Sequence, residues 1–368
     1  MPNTVSYVLP RADPGYVQWL ERQSMLGSAR ELTGKVSGTD IIWRHSTSLG
    51  REPLLQSVSP HWLDVNPYSV TCSEPLLRAL VSPAFLSFLK EAGFQGLFLS
   101  PTGETGSVWS SVGGAHGTNE DGEDVVSLRL SPSLGKDRDL TLLINALEKM
   151  DVQFGGDLPP AATGLGPDFM LQARNASRFE GLYAMLPIPS EDWGILPAAS
   201  DEWDCRPLEA ATVRALSLRG DLPGSLWRDS QSWNISGGWA VTGEVRGVDG
   251  QMRRWAYRYA GHNLKPVLLW QDPSAQARRV WSAAIIRHTG LQRQTLAGLR
   301  LEALMGLDAM PADAVVGDPS PLAVAPGPEA LRALSGEVHR YGGWTVQDDV
   351  LPPLLSQIVL ESGVDFAR

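Results

Sequence analysis

The stretch from Pro83 to Gly103 constrains the fold more than any other. Pro83 to Glu91 has the spacing of a helix, and Gly93 stands where a helix commonly ends. Phe94-Gln95-Gly96-Leu97-Phe98-Leu99 reads as a buried strand, stopped by Ser100-Pro101-Thr102-Gly103. Helix, glycine, apolar strand and Pro/Gly loop make one α/β unit. A second unit follows. Leu140, Leu143, Ile144 and Leu147 recur at helical spacing between Asp139 and Met150. Val152-Gln153-Phe154 then opens a strand that ends at Asp157-Leu158-Pro159-Pro160.

The rest of the chain is read around these units. Tyr16 to Leu32 is expected to be an amphipathic helix, and His61 to Thr71 a strand with its loop. Gly103 to Asp124 is polar and Gly-rich, a long loop at a strand's carboxyl end, where loops commonly carry function. Val125 to Leu130 is apolar. From Ala161 to about Pro266 the rhythm breaks, and this stretch holds Trp193, Trp203, Trp227, Trp233, Trp239 and Trp255. Within it, Glu244 to Tyr259 alternates around Asp249-Gly250, a hairpin signal. Pro266 to Trp270 looks like a strand, and Asp272-Pro273 caps a helix running to about His288. Pro328 to Arg340 is a helix, Trp344 to Gln347 a fifth strand ending at Asp348-Asp349, and Ile358 to Phe366 begins a sixth unit.

Ala297 to Leu304 is the segment with the most chemistry. It reads as a short buried strand in which alternation sets Arg300 and Glu302 on one side. In a parallel barrel the carboxyl ends of the strands face the active-site mouth. An arginine there can hold a carboxylate ionised for attack on a sugar. Taken alone, such a pair is more often a plain ion pair.

Composition narrows the partners. The net charge of -10 favours neither nucleic acid nor a membrane surface. No apolar run approaches a membrane span, and the first residues lack a secretory pattern, so a cytoplasmic protein is expected. Cys72 and Cys205 are too few for a disulfide framework. The six histidines show no metal-ligand spacing, so neither metal nor cofactor is expected. Thirteen tryptophans suit the apolar faces of sugar rings, although most tryptophans fill core space.

These segments, in this order, resemble the α-amylase superfamily of glycoside hydrolases and transglycosylases, most closely its trehalose synthase-like (maltose glucosyltransferase-like) branch. Phe94 to Pro101 resembles the second barrel strand. Leu134-Gly135-Lys136 resembles the segment before the next helix. Asp157-Leu158-Pro159-Pro160-Ala161-Ala162 sits where the family has Asp-x-Val-Pro-Asn-His. Asp168-Phe169 and Tyr183 resemble the stretch that follows. Gly298-Leu299-Arg300-Leu301-Glu302-Ala303 matches Gly-Phe-Arg-x-Asp-Ala, and Gly343 to Asp348 falls where the acid/base strand ends.

The resemblance implies an α/β fold of the (β/α)8 TIM-barrel type, incomplete at its carboxyl end and carrying a Trp-rich inserted subdomain. The expected divisions are a helical and loop segment over 1–60, the first barrel units over 61–160, the insertion over 161–266 and strands four to six over 267–368. It implies Glu302 as nucleophile and Asp348 as general acid, with Arg300, Asp157, Asp168 and Tyr183 binding substrate. Asp348-Asp349 also reads as a helix N-cap pair. The implied ligand is an α-linked glucoside such as maltose, trehalose or a short α-glucan. A homodimer or an active homologue would complete the barrel.

The departures from the pattern are as informative. Glu302 replaces the family's aspartate and Asp348 its glutamate, each moving a carboxylate by roughly 1.5 Å. Ala161 and Ala162 replace Asn and His, and Ser131 replaces a conserved aspartate. The third catalytic aspartate would fall beyond Arg368. A catalytically degenerate homologue that binds a glucan or regulates an active relative is therefore the second expectation.

Overall fold

The computed structural model describes residues 14–29, 31, 61–106, 124–158, 160–222, 237–260, 264–270, 272, 274–294, 296–299, 327–347, 357 and 359–367. Six strands form one sheet: β1 (Trp62–Val65), β2 (Gly96–Leu99), β3 (Gln153–Leu158), β4 (Leu296–Leu299), β5 (Trp344–Gln347) and β6 (Phe366–Ala367). They lie side by side in chain order, and every pairing is parallel. Sequential order without a reversal is the winding of a barrel, whereas a doubly wound sheet reverses at a switch point. Among the described residues the sheet stays open, because no pairing joins β1 to β6. The expected six strands are present and a closed barrel is not.

Helices α1 (Pro14–Gln23), α2 (Pro83–Glu91), α3 (Asp137–Lys149), α4 (Pro167–Ala173), α5 (Gln276–Ile285) and α6 (Gly327–Arg340) accompany the sheet. Of these, α2, α3, α5 and α6 lie on the crossovers. The Ser82 hydroxyl caps α2 by accepting from the Phe85 N–H, and Gly93 has φ +73°, as its place after the helix requires. Leu97, Leu99, Phe154 and Val65 pack against Leu89 of α2 and Leu140, Leu143, Ile144 and Leu147 of α3. Further along the same sheet face, Ala297 and Leu299 pack with residues of α5 and α6.

The opposite face carries a separate layer. Phe98, Leu296, Trp344 and Val346 cluster there, with Trp62 against them. Glycines make this layer possible. A Cβ at Gly155 would come within 3.0 Å of the Phe98 ring and 2.9 Å of the Leu296 carbonyl oxygen. Alternation thus splits the strands into a helix-packed face and an inner face of rings set over glycines.

A second sheet is antiparallel. Met252–Ala260 is its centre, flanked by Gly237–Val241 and Met185–Ile188, with Lys265–Pro266, Val245–Arg246 and Arg206–Pro207 at its margins. The hairpin expected at Asp249-Gly250 is present, with Met252 opposite Arg246 and Gly250 at φ +80°. One apolar run lies outside the parallel sheet, and another differs from expectation. Val125–Leu130 pairs antiparallel with Gly103–Thr105 and stays outside the parallel sheet. Of Pro266 to Trp270, only Pro266 joins a strand, and Val267 and Leu268 make isolated bridges to Ala162 and Tyr183. The helix expected to reach His288 is α5, continued by a π-helical turn over Ile286–Leu291.

Arg174 binds these parts together. It is fully buried, and its Nη2 donates to both carboxylate oxygens of Glu202 at 2.7 Å. Its Nη1 donates to the Arg246 carbonyl, and its guanidinium lies 5.2 Å over the Tyr16 ring of α1. Removing the carboxylate strands a buried cation. Glu202→Ala should therefore destabilise the protein by about 3–5 kcal/mol. A shift in the urea midpoint corresponding to less than about 1 kcal/mol would sink this account of Arg174.

Candidate functional site

In a parallel sheet of this winding the carboxyl ends of the strands form the reactive end. Asp157, next to last in β3, stands there on the inner face. It is half-buried, in register with Gly298 of β4, and its backbone N–H donates to Ser100 Oγ at 3.2 Å. A Cβ at Gly298 would lie 2.5 Å from Asp157 Oδ1 and 2.7 Å from Phe98 Cζ. The glycine therefore leaves the space into which both side chains reach. Asp64 of β1 lies on the same face, level with Phe98 and Gly155, and is exposed. The signal for Asp64 in the sequence is one polar residue breaking Trp62-Leu63-Asp64-Val65, which the apolar reading of that strand passed over.

Arg300, Glu302 and Asp348 lie outside the described residues. Strand β4 is described to Leu299 and β5 to Gln347, and these two residues are in register and buried.

Asp168 and Tyr183 sit elsewhere, in the core beneath the antiparallel sheet. Asp168 is 1% exposed, and its carboxylate accepts from the Met25 N–H at 2.6 Å and the Leu26 N–H at 3.0 Å. Burial pushes its pKa up to about 6, against those two hydrogen bonds. Tyr183 is equally buried. Its hydroxyl is 2.8 Å from Thr163 Oγ1, and the Gln172 amide clasps its backbone N–H and carbonyl. Burial, and then the Asp168 charge, push the Tyr183 hydroxyl well above its usual range. Both side chains make internal contacts.

The segment after β3 is bound just as closely. Ala161 and Ala162 are buried, the Ala161 carbonyl accepts from the Leu268 N–H at 3.0 Å, and the Pro160 carbonyl accepts from Trp270 Nε1 at 2.8 Å. Most described tryptophans are core residues. Trp239 is buried with the Arg258 guanidinium 5.0 Å from its ring centroid, and Trp255 Nε1 donates to the Ala173 carbonyl. Trp109, Trp227 and Trp233 lie outside the described residues. Cys72 is exposed, while burial pushes the Cys205 thiol up to about 12. Among the described residues no helix is long and apolar enough to cross a membrane.

One further titratable group is buried close to β3. His288, in the π-helical turn, is 3.1 Å from the Leu296 carbonyl through Nε2, which donates. Its Cε1 lies 3.6 Å from where a Cβ of Gly156 would be, and burial pushes its pKa down to about 4.

No protein-family model matches the chain, and no curated protein matches it. Solved structures do. An α-amylase from Geobacillus thermoleovorans, complexed with acarbose, is 14% identical, the match covering 83% of this chain and 48% of that one at a TM-score of 0.42. Trehalose-6-phosphate hydrolase from Bacillus licheniformis is 14% identical over 78% of this chain and 43% of that one, at 0.46. An isomaltulose synthase mutant from Erwinia rhapontici, in complex with D-glucose, is 12% identical over 79% and 44%, at 0.47. The chain spans less than half the length of each.

The two shifted groups oppose each other in acid. The Asp168 pKa rises from 3.8 to about 6 on folding, so its contribution is complete below pH 3.8 and lost as pH climbs to about 6. The His288 pKa falls from 6.5 to about 4, so its contribution is complete above pH 6.5 and lost as pH drops to about 4. Each slope is about 1.4 kcal/mol per pH unit at most, and the signs are opposite. Relative to wild type, Asp168→Asn should become more stable, and His288→Asn less stable, as pH rises across this window. Urea midpoints across it test both, and profiles parallel to wild type would refute the assignment.

Proposed function

We propose that the protein binds an α-linked glucoside, such as maltose, trehalose or a short α-glucan, at the carboxyl ends of its parallel strands. The observation that carries this reading is the half-buried Asp157 carboxylate on the inner face, in the space left by Gly298. Arg300 and Glu302 follow Gly298 by two and four residues, and Asp348 follows Val346 by two. Continued alternation would give all three the inner face with Asp157.

In this reading Glu302 attacks the anomeric carbon while Asp348 protonates the departing glycosidic oxygen. Water or a second sugar, deprotonated by Asp348, then displaces Glu302, so configuration is retained. Such pairs work at about 5–5.5 Å separation. Arg300 keeps Glu302 ionised, and Asp157 accepts from a sugar hydroxyl. Asp168 and Tyr183 hold the segment after β3 and bind no sugar. The antiparallel sheet belongs to the inserted part of the chain.

A second reading, binding without turnover, is favoured by Ala161 and Ala162. Both are buried, and neither side chain can hydrogen-bond a sugar hydroxyl. Such bonds supply several kcal/mol to glycoside transition states.

Proton NMR of maltose, and separately trehalose, separates the two. Anomeric signals that change with wild type and not with Glu302→Gln support catalysis. Binding of maltose by the folded protein with no change over a day supports the second reading, and no binding at all defeats both. The open edges at β1 and β6 fit a second copy or an active homologue completing the sheet. Sedimentation should then show a dimer, and a monodisperse, stable monomer would defeat self-association.

A further inference from the structure

On the helix-packed side of the sheet, α3, the π-helical turn and the strand Val125–Leu130 enclose a cleft of about 630 Å³. Its floor and wall include Leu140 and Ile144, both buried, and Leu291, which is 45% exposed. Arg287 reaches into it from the π-helical turn. The Arg287 side chain is only 17% exposed, yet its ion pair to Asp137 is loose at 3.8 Å. Among the described residues it donates no hydrogen bond. Ser28 adds a buried hydroxyl in the cleft that has no partner among the described residues.

The charges select the ligand. Arg129, Lys136 and Arg287 line the cleft together with Glu31, Glu104 and Asp137, so the formal lining charge is zero. Arg129 is committed, donating to Gln23 Oε1 at 2.9 Å and to the Arg22 carbonyl at 2.8 Å. Arg287 alone among these cations is both largely buried and uncommitted. A guanidinium fork matches a planar carboxylate through two parallel hydrogen bonds. A phosphate dianion would meet the three acidic residues with twice the charge. We propose that this cleft binds a small organic carboxylate, its carboxylate paired with Arg287 and its apolar part against Leu140, Ile144 and Leu291.

Calorimetric titration of the full chain at neutral pH, with isocaproate, its neutral amide and inorganic phosphate, tests this. Isocaproate should bind, and the amide should bind at least about tenfold more weakly, because the charge-assisted pair is lost. Arg287→Gln should abolish binding. Arg287→Lys, which keeps the charge without the fork, should weaken it by about tenfold or more. Leu291→Asp, at an exposed position, should also weaken it while leaving the fold intact. No binding of isocaproate by wild type, equal binding of the amide, or tighter binding of phosphate would each overturn the proposal. The comparison of acid with amide needs no variant, and it stands whether or not the strand-end site binds sugar.

Discussion

The close approach of β2, β3 and β4 across Gly155 and Gly298 decides what the inner face can hold. Parallel strands stand about 4.8 Å apart, so side chains in register on one face compete for the same space. The Phe98 ring occupies the space above both glycines, and the Asp157 carboxylate shares the second. A side chain at either position would push the ring or the carboxylate away. The same two residues that let a Phe/Trp layer fill the interior also leave room for the Asp157 carboxylate near its carboxyl end.

The segment that follows β3 is fastened by backbone and side-chain hydrogen bonds alike. Backbone hydrogen bonds join Ala161 and Thr163 to the 266–268 stretch, and Asp168 binds two backbone N–H groups of residues 25 and 26. A buried carboxylate with a raised pKa is a common mark of a reactive acid. Here geometry assigns it to fastening, because both oxygens already accept hydrogen bonds at 2.6–3.0 Å and the side chain does not reach solvent. A perturbed pKa identifies an unusual environment, and only the neighbours identify its use.

The sequence was legible where the signal is local. Ser82 before Pro83, Gly93 after α2, and Asp249-Gly250 between alternating strands specify their own geometry within a few residues. It was illegible where the partner is remote. Pro266 to Trp270 has the composition of a strand, but an apolar run does not encode which edge it meets. Asp168 finds Met25 across 143 residues, and no spacing rule reaches that far. The site shows the same division. The place of Asp157 follows from its strand, whereas the space it occupies was given by a glycine on another strand, 141 positions away by the numbering of Gly298.

Arg174 and Arg287 show how one residue type can be structural in one place and available in another. Removing a guanidinium from water is expensive, and the protein must answer it with hydrogen bonds and counter-charge. For Arg174 the answer lies within the fold: a carboxylate accepting twice, a carbonyl and a tyrosine ring. For Arg287 the fold supplies field without contact, from Asp137 at 3.8 Å and from Glu104. Its pKa is accordingly lowered by burial. A fold that contained no further use for Arg287 could have exposed it or placed an apolar residue there at no loss of hydrogen bonding. Its place in the lining of a cleft that also holds a buried hydroxyl and an apolar floor is what distinguishes a surface suited to a ligand from a charge that merely lies near one.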